Sequence, residues 1–459
     1  MLGWEMSISK REVWRSKAKL LALFITVLFH LFSSLALAQF DSKPNLNKIN
    51  SRKVKTNKKR QKSLAEKLYN IFGPVGSLRM GYWSQNRQFS SQNNFLSNSA
   101  WLSLNTSGPA GLKFFYDGYV RNDDSTRTGP STGDLREAYV DKSLGAVDFR
   151  IGRQIMVWGR ADKINPTDNL GVKDLNLLTV EDDDQRTGLF ATKTVLHFDD
   201  YSLIGVWLPE WRYTKFSIPT IPSVVTSEAT PEHSAEQGAL KFDHTGGSLD
   251  WSLSFYSGID KTPDLAIASQ TVTATNILFV HKKIRVFGAD FAKNISSIAI
   301  RGEFAYEQTE NADGQDLLTK NSFFEAVLGG DINITESFNI NMQYVLKKID
   351  NFHPLPNLPA NVNFLVQEER LITQQLFETQ QGISFRSGLK FLNDTLVADV
   401  SALYWFSQGD CVVSPKLTYA VSDHFKTSIG GNIYAGPDLS YLGVLKPLSA
   451  FYTEFKIIF

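Results

Sequence analysis

One cysteine, Cys411, is all that the 459 residues hold, so no disulfide can form within the chain and stability must come from backbone pairing and burial. Net charge is nearly absent as well. Lys and Arg number 48 against 47 Asp and Glu, a formal +1, which removes the global bias that would point to nucleic acid or to an acidic partner. The seven histidines, His30, His197, His233, His244, His281, His353 and His424, are scattered without metal-ligand spacing, and no metal or other cofactor is expected. His233-Ser234 is the one neighbouring base and nucleophile, and adjacency in a loop makes no triad, so the chain is not expected to be an enzyme. Beyond the first 40 residues no apolar run approaches the roughly 20 residues that a transmembrane helix needs.

What the chain has instead is alternation. Apolar and polar residues alternate over 78–85, 100–106, 112–121, 135–144, 147–158, 189–198, 201–208, 238–243, 249–258, 284–292, 298–308, 324–334, 338–346, 383–391, 396–406, 413–421, 425–434 and 450–459. Period-two runs of this kind predict strands with one greasy and one polar face. Leu249, Trp251, Leu253 and Phe255, for example, oppose Asp250, Ser252 and Ser254. The connections alternate too. Short turns such as Gly145-Ala146, Asp199-Asp200 and Gly246-Gly247 alternate with mostly long polar segments, 122–133, 160–187, 214–237, 259–283 and 350–381. A soluble sandwich has no reason to sort its loops this way, whereas a barrel with periplasmic turns and extracellular loops does. The expected fold is all-β: a transmembrane antiparallel β-barrel of the outer-membrane type over residues 76–459. It has about 18 strands; 16 is the alternative, because the pattern over 269–283 is unresolved.

The two ends agree with an envelope protein. Basic residues from Lys10 to Lys19, an apolar stretch over 20–37 and Ala36-Leu37-Ala38 read as a secretory signal peptide, residues 1–38. Residues 39–75 read as a basic periplasmic extension with a short amphipathic helix over 63–72. At the other end Phe451, Phe455, Ile457 and Phe459 share one face of the last run, the expected membrane-insertion signal. The expected location is the bacterial outer membrane.

The most specific stretch runs from Asp134 to Asp174. It holds Arg136, Glu137, Tyr139, Val140 and Asp141, then Gly152, Arg153, Gln154, Trp158, Gly159, Ala161 and Asp162, then Asn165, Pro166 and Asp168. These residues resemble a proteobacterial outer-membrane family of uncharacterised proteins marked by R-E-x-Y-V-D, G-R/K-Q-x-x-x-W-G-x-A-D and N-P-x-D. A more distant similarity is to the alginate-export type of porin. The resemblance implies an outer-membrane channel or export component, with lipids or hydrophobic compounds among the cargo, and leaves the substrate open.

Candidate lumen or constriction residues are Glu137, Tyr139, Asp141, Arg150, Arg153, Gln154, Trp158, Asp162, Asn165, Asp168, Arg301 and Glu303. Arg153 breaks the parity of its neighbours, so a bulge at Gly152 is expected to turn it into the lumen. Residues 160–187 carry Leu170, Val172, Leu175, Leu177 and Leu178, which are costly to leave in water. The third extracellular loop is therefore expected to fold inward, with Asp162, Asn165 and Asp168 meeting wall arginines such as Arg150 and Arg153; an outward flap is the competing reading. The acidic run Glu181 to Asp184 reads as a solvated loop rather than a cation site.

A porin-like channel for transport or export of solutes is the expected function. A structural or assembly protein with a blocked lumen and an outer-membrane lipid hydrolase are the alternatives. Expected partners are outer-membrane lipids and lipopolysaccharide, the outer-membrane assembly machinery and an envelope export complex. Inward-facing charges nearly balance in sign, so ionic selectivity is expected to be weak.

Overall fold

The computed structural model describes residues 72–85, 94–123, 132–216, 224–232, 235–270, 275–354 and 360–459. The expected signal peptide and basic extension lie outside the described residues, as does the helix over 63–72 apart from Phe72. Residues 74–459 form one compact unit, the barrel.

Eighteen strands form one antiparallel sheet. In chain order they are β1 Val75–Gln85, β2 Asn94–Ser107, β3 Lys113–Asp123, β4 Thr132–Leu144, β5 Val147–Gln154 and β6 Leu189–Phe198. Then come β7 Tyr201–Leu208, β8 Gln237–His244, β9 Asp250–Ile259, β10 Lys283–Ile295, β11 Ile298–Gln308 and β12 Phe323–Thr335. The last are β13 Phe338–Ile349, β14 Thr379–Phe391, β15 Leu396–Trp405, β16 Asp410–Ser422, β17 Phe425–Ala435 and β18 Ala450–Ile458. Each predicted run is one of these strands. The largest boundary change is at 100–106, where the strand already begins at Asn94, and the run 147–158 ends at Gln154, beyond which the chain leaves the wall.

Closure comes from β1 pairing with β18, from Ser77 opposite Ile458 to Gln85 opposite Ala450. Phe459 extends the seam: its N–H donates to the Gly76 carbonyl at 3.1 Å and its carbonyl accepts from Gly76 N–H at 2.9 Å. A closed sheet leaves no edge, and so no strand backbone that lipid would have to solvate. The side chains follow the alternation. On β1 Leu78 and Met80 face out, 46% and 53% exposed, while Ser77 and Trp83 point in and are buried. On β9 Leu253 is exposed and Ser252 and Tyr256 are buried. Large apolar side chains around the outside of a closed antiparallel barrel require hydrocarbon, and single-chain barrels of this size with short turns on one rim and long loops on the other belong to the bacterial outer membrane. This protein is an outer-membrane β-barrel.

Two local expectations are corrected. There is no bulge at Gly152: β4 and β5 pair without interruption, Tyr139 opposite Gly152 and Ala138 opposite Arg153. The register shift lies one strand pair earlier, between Asp117 and Gly118 against β4, where Arg136 is the residue passed over. Arg153 keeps the outward parity of Ile151, so it does not turn into the lumen. It sits at the rim, paired with Glu210 and 4.0 Å from Asp134.

The long extracellular connections are not simply polar loops. Val224–Glu228, Thr275–Val280 and Asp264–Gln270 form a three-stranded sheet, which resolves the ambiguous pattern over 269–283. The connection between β13 and β14 holds helix α1, Ala360–Ile372. Its Leu365 is buried against Leu265, Ile277 and Phe279, with Leu318 and Ile372 beside them. The three strands are shorter than any strand of the wall and α1 carries a helical rather than a two-residue period, which is why neither element was legible in the alternation of the sequence.

Candidate functional site

The third extracellular loop, residues 155–188, folds into the barrel. It starts at Gln154, whose buried amide donates to the Ala191 carbonyl at 3.0 Å, and Ile155 N–H donates to Glu137 at 2.9 Å. Met156 and Trp158 then pack, with Leu170 and Val172, against inward residues of β6 to β11, among them Leu189, Val206, Tyr256, Ile284 and Ala305. Burying each such aliphatic side chain contributes about 1.5–3 kcal/mol.

Glu303 is the anchor. Fully buried on β11, its carboxylate accepts the backbone N–H groups of Arg160, Ala161 and Thr167 and the Thr167 hydroxyl, the last at 3.0 Å. Such a cradle of donors is how a buried carboxylate without a salt bridge is stabilised. Gly159 lies directly against it with φ +97°, and a methyl group there would overlap Glu303 Oε1. The glycine of the W-G-x-A-D stretch is thus explained by contact with a residue that the chain reaches much later. Arg160 does not pair with Glu303. Its guanidinium bridges Asp290 at 2.6 Å and Asp243 at 3.0 Å, and Lys241 lies 3.6 Å from Asp290.

From this wall the loop crosses the bore. Ala161 and Ile164 pack near Val327, Val345 and Trp405. Leu177 is buried with Trp101 and Tyr119, and Leu178 and Val180 meet Trp83 and Tyr452. Asp184 pairs with Arg79, and Glu181 lies 3.1 Å from Lys416. Arg79 is on β1 and Asp290 on β10, so the two anchorages are half the circumference apart. The gap left beside Arg79, Trp101 and Leu177 is about 10 Å³, room for no more than a water molecule. Asp168 ties the two limbs of the loop together, accepting from Trp158 N–H at 3.3 Å and Arg186 at 2.8 Å. Arg136, which the register shift turns inward, holds the Asp183 and Arg186 carbonyls and Asp117.

Some of the expected contacts are replaced by others. Asp162 meets Arg386 at 3.1 Å, and Asp168 meets Arg186, so neither reaches Arg150 or Arg153. Asn165 turns the chain, its carbonyl accepting from Asp168 N–H. Arg150 is occupied lower on the hairpin, bidentate to Asp141 at 2.6 and 2.8 Å and 3.8 Å over the Tyr139 ring. Arg301 pairs with Asp331 at 2.9 Å, apart from the loop. The acidic run is solvated, as read, at Asp182 and Asp183, but Asp184 is partly buried against Arg79. Leu175 stays 46% exposed, while Leu170, Val172 and Leu177 are buried. Asp290 escaped the sequence reading although it shares the inward parity of its strand. Ile284 and Val286 stand on the same face and hide the polar pattern, because they cover the loop's Trp158 and Leu170.

Above the loop, α1 is seated through Glu369, which accepts Leu265 N–H at 2.7 Å beside Asp264. Burial, then the neighbouring Asp264 charge, raises the Glu369 carboxyl well above the usual carboxylate range, and burial, then Asp260, brings Asp264 to about 6. A carboxyl with a raised folded-state pKa adds stability that is full at low pH and lost as pH rises through that pKa. The seat of α1 is therefore expected to weaken as pH rises from the ordinary carboxylate range through these raised pKa values, that of Asp264 at about 6. Hydrogen-exchange protection of residues 365–373 should be lower at pH 8 than at pH 5, and Glu369→Gln should flatten that difference. Equal protection at both pH values in the natural protein would refute the assignment.

No curated protein matches the chain. Among solved structures it is similar to a mutant of the Rh. blastica porin, at 9% identity and TM-score 0.41 over 85% of this chain and 100% of the porin. It is also similar to a loop-deletion mutant of OmpT, an outer membrane protein of Vibrio cholerae, at 12% identity and TM-score 0.42 over 85% and 99%. The family model described as a protein of unknown function, DUF1302, matches residues 78–327, from the first strand to β12 and so across the whole loop and its Glu303 anchor; the chain belongs to that family.

Proposed function

We propose that this protein is a diffusion channel for small polar solutes whose conductance is set by the third extracellular loop. The observation that carries the reading is the crossing itself: residues 155–188 are held at both ends of a diameter by the Glu303 cradle and the Arg79–Asp184 pair. The wall that remains facing the bore carries side chains such as Lys193, Arg301, Asp331 and Asp399 in near-balanced sign, which suits hydrated solutes better than lipids or other hydrophobic cargo and makes preference between anions and cations weak. The reading includes no catalytic step.

The test is single-channel recording in planar bilayers. Discrete conductance steps with a reversal potential near zero in a salt gradient are the expected result. A correctly folded barrel that passes no current at all would favour the alternative in which the loop blocks the lumen and the barrel is structural.

A further inference from the structure

Between the inserted loop and the extracellular cap lies a cavity of about 300 Å³, at the lower end of the size range of ligand pockets. Its floor is the loop, at Asn165, Asn169 and Lys173; its roof is the α1 C-terminus at Ile372 to Gln374; its side is Lys261 and the strand ends at Phe323 and Lys347. Six cations and four carboxylates line it, an excess of two positive charges. Pairing concentrates that excess on particular side chains. Arg186 is taken by Asp168, Lys163 by Asp182, and Lys320 by Asp260 and Glu307.

Among the described residues Lys173, Lys261 and Lys347 form no ion pair. Lys261 is 8% exposed and donates only to neutral groups, Gln237 Oε1 at 2.9 Å and the Tyr256 hydroxyl at 3.2 Å. Lys347 lies 4.1 Å over the Phe323 ring with its ammonium 3.4 Å from the Thr373 carbonyl, and its cross-strand neighbour Glu325 is also on the cavity wall. The Lys173 ammonium has no protein partner among the described residues. Ammonium groups held away from bulk water with no carboxylate in contact are costly, and an anion placed among them offsets part of that cost. Ile284, Phe323 and Ile372 on the same wall offer an apolar surface beside the amines.

We propose that this cavity binds a small organic anion, its carboxylate or phosphate head between Lys173, Lys261 and Lys347 and its apolar part against Phe323, Ile284 and Ile372. Burial agrees with it: it holds the Lys261 amine down to about 8, and burial and then Arg186 lower Lys173. Lys261 faces Tyr256 and Gln237 from the wall, Asp260 from its own loop, and Lys320 and Glu307 across the cavity. The site goes beyond the channel reading, because equilibrium binding is measurable in a barrel that carries no current.

The experiment is calorimetric titration of the full folded protein in detergent with benzoate, phenyl phosphate and neutral benzamide. Benzoate, phenyl phosphate or both are expected to saturate one site, with benzamide about tenfold weaker or more, as loss of a charge-assisted hydrogen bond implies. Which of the two anions saturates it tells a carboxylate site from a phosphate site. Lys261→Met and Lys173→Met should each weaken the anion about tenfold, and Lys446→Met, at an exposed lysine outside the cavity, should not change it. Affinity should also fall as pH rises above 8. Tyr256 and Gln237 remain hydrogen-bonded to one another at 3.0 Å without Lys261, so that variant is expected to fold. Equal binding of benzamide and benzoate, unchanged affinity in folded Lys261→Met and Lys173→Met, or no binding of either anion would each overturn the proposal.

Discussion

Removing residues 164–178 raises single-channel conductance several-fold and admits larger neutral solutes. The deleted stretch is the middle of the crossing. It includes Thr167, which hydrogen-bonds Glu303, and Asp168, which ties the two limbs through Trp158 and Arg186. It also includes Leu170, Val172 and Leu177, the apolar residues that hold the loop to two parts of the wall. None of the deleted residues belongs to a wall strand, so the ladder from β5 to β6 stays intact. Loss of their burial, about 1.5–3 kcal/mol for each fully buried aliphatic side chain, lowers stability without removing a contact between wall strands. The measurement is conductance in planar bilayers together with swelling of proteoliposomes in sugars of increasing size, on protein shown to be β-rich and folded. Wild-type conductance in a correctly assembled deletion would mean that the loop does not limit the bore, and the channel reading would lose its central observation.

Glu303→Ala should unseat the loop while leaving the barrel standing. Four donors converge on this carboxylate, and each buried donor left without an acceptor costs about 1–3 kcal/mol, partly recovered as water enters the gap. A net loss of about 3 kcal/mol corresponds to roughly a hundredfold rise in the population of the released loop. Tryptic cleavage after Arg160 and Lys163 follows that population when opening is fast, so its rate should rise by a similar factor. Glu303→Gln keeps one oxygen in place and should fall between. Gly159→Ala tests the same contact from the other side, forcing a methyl group at φ +97° against Glu303 Oε1, and should reproduce the alanine phenotype with the carboxylate intact. Cleavage of Glu303→Ala at the wild-type rate would sink the anchor assignment.

The strands, their facing and the sorting of short turns from long loops were all legible, because each depends on residues close in sequence. Alternation of Leu78, Met80 and Tyr82 with Arg79 and Gly81 states by itself which side faces hydrocarbon. The inward fold of the loop was legible for a similar reason: Leu170, Val172 and Leu177 need cover, and the bore is the nearest. The parity of Arg153 misled, since the apparent break comes from a strand that has reached the rim, where an outward arginine finds Glu210 and water rather than lipid.

What the sequence by itself determined is therefore the compartment, the barrel and the identity of the loop that enters it, all consequences of local periodicity against two solvents. Only the tertiary structure decided which groups hold that loop. Arg160 and Glu303 meet across 143 residues, and Asp162 and Arg386 across 224, because closing eighteen strands into a ring brings their inward faces to a common axis. No pattern along the chain carries that distance, since it is set by how many strands lie between the partners and how far the sheet curves before it meets itself.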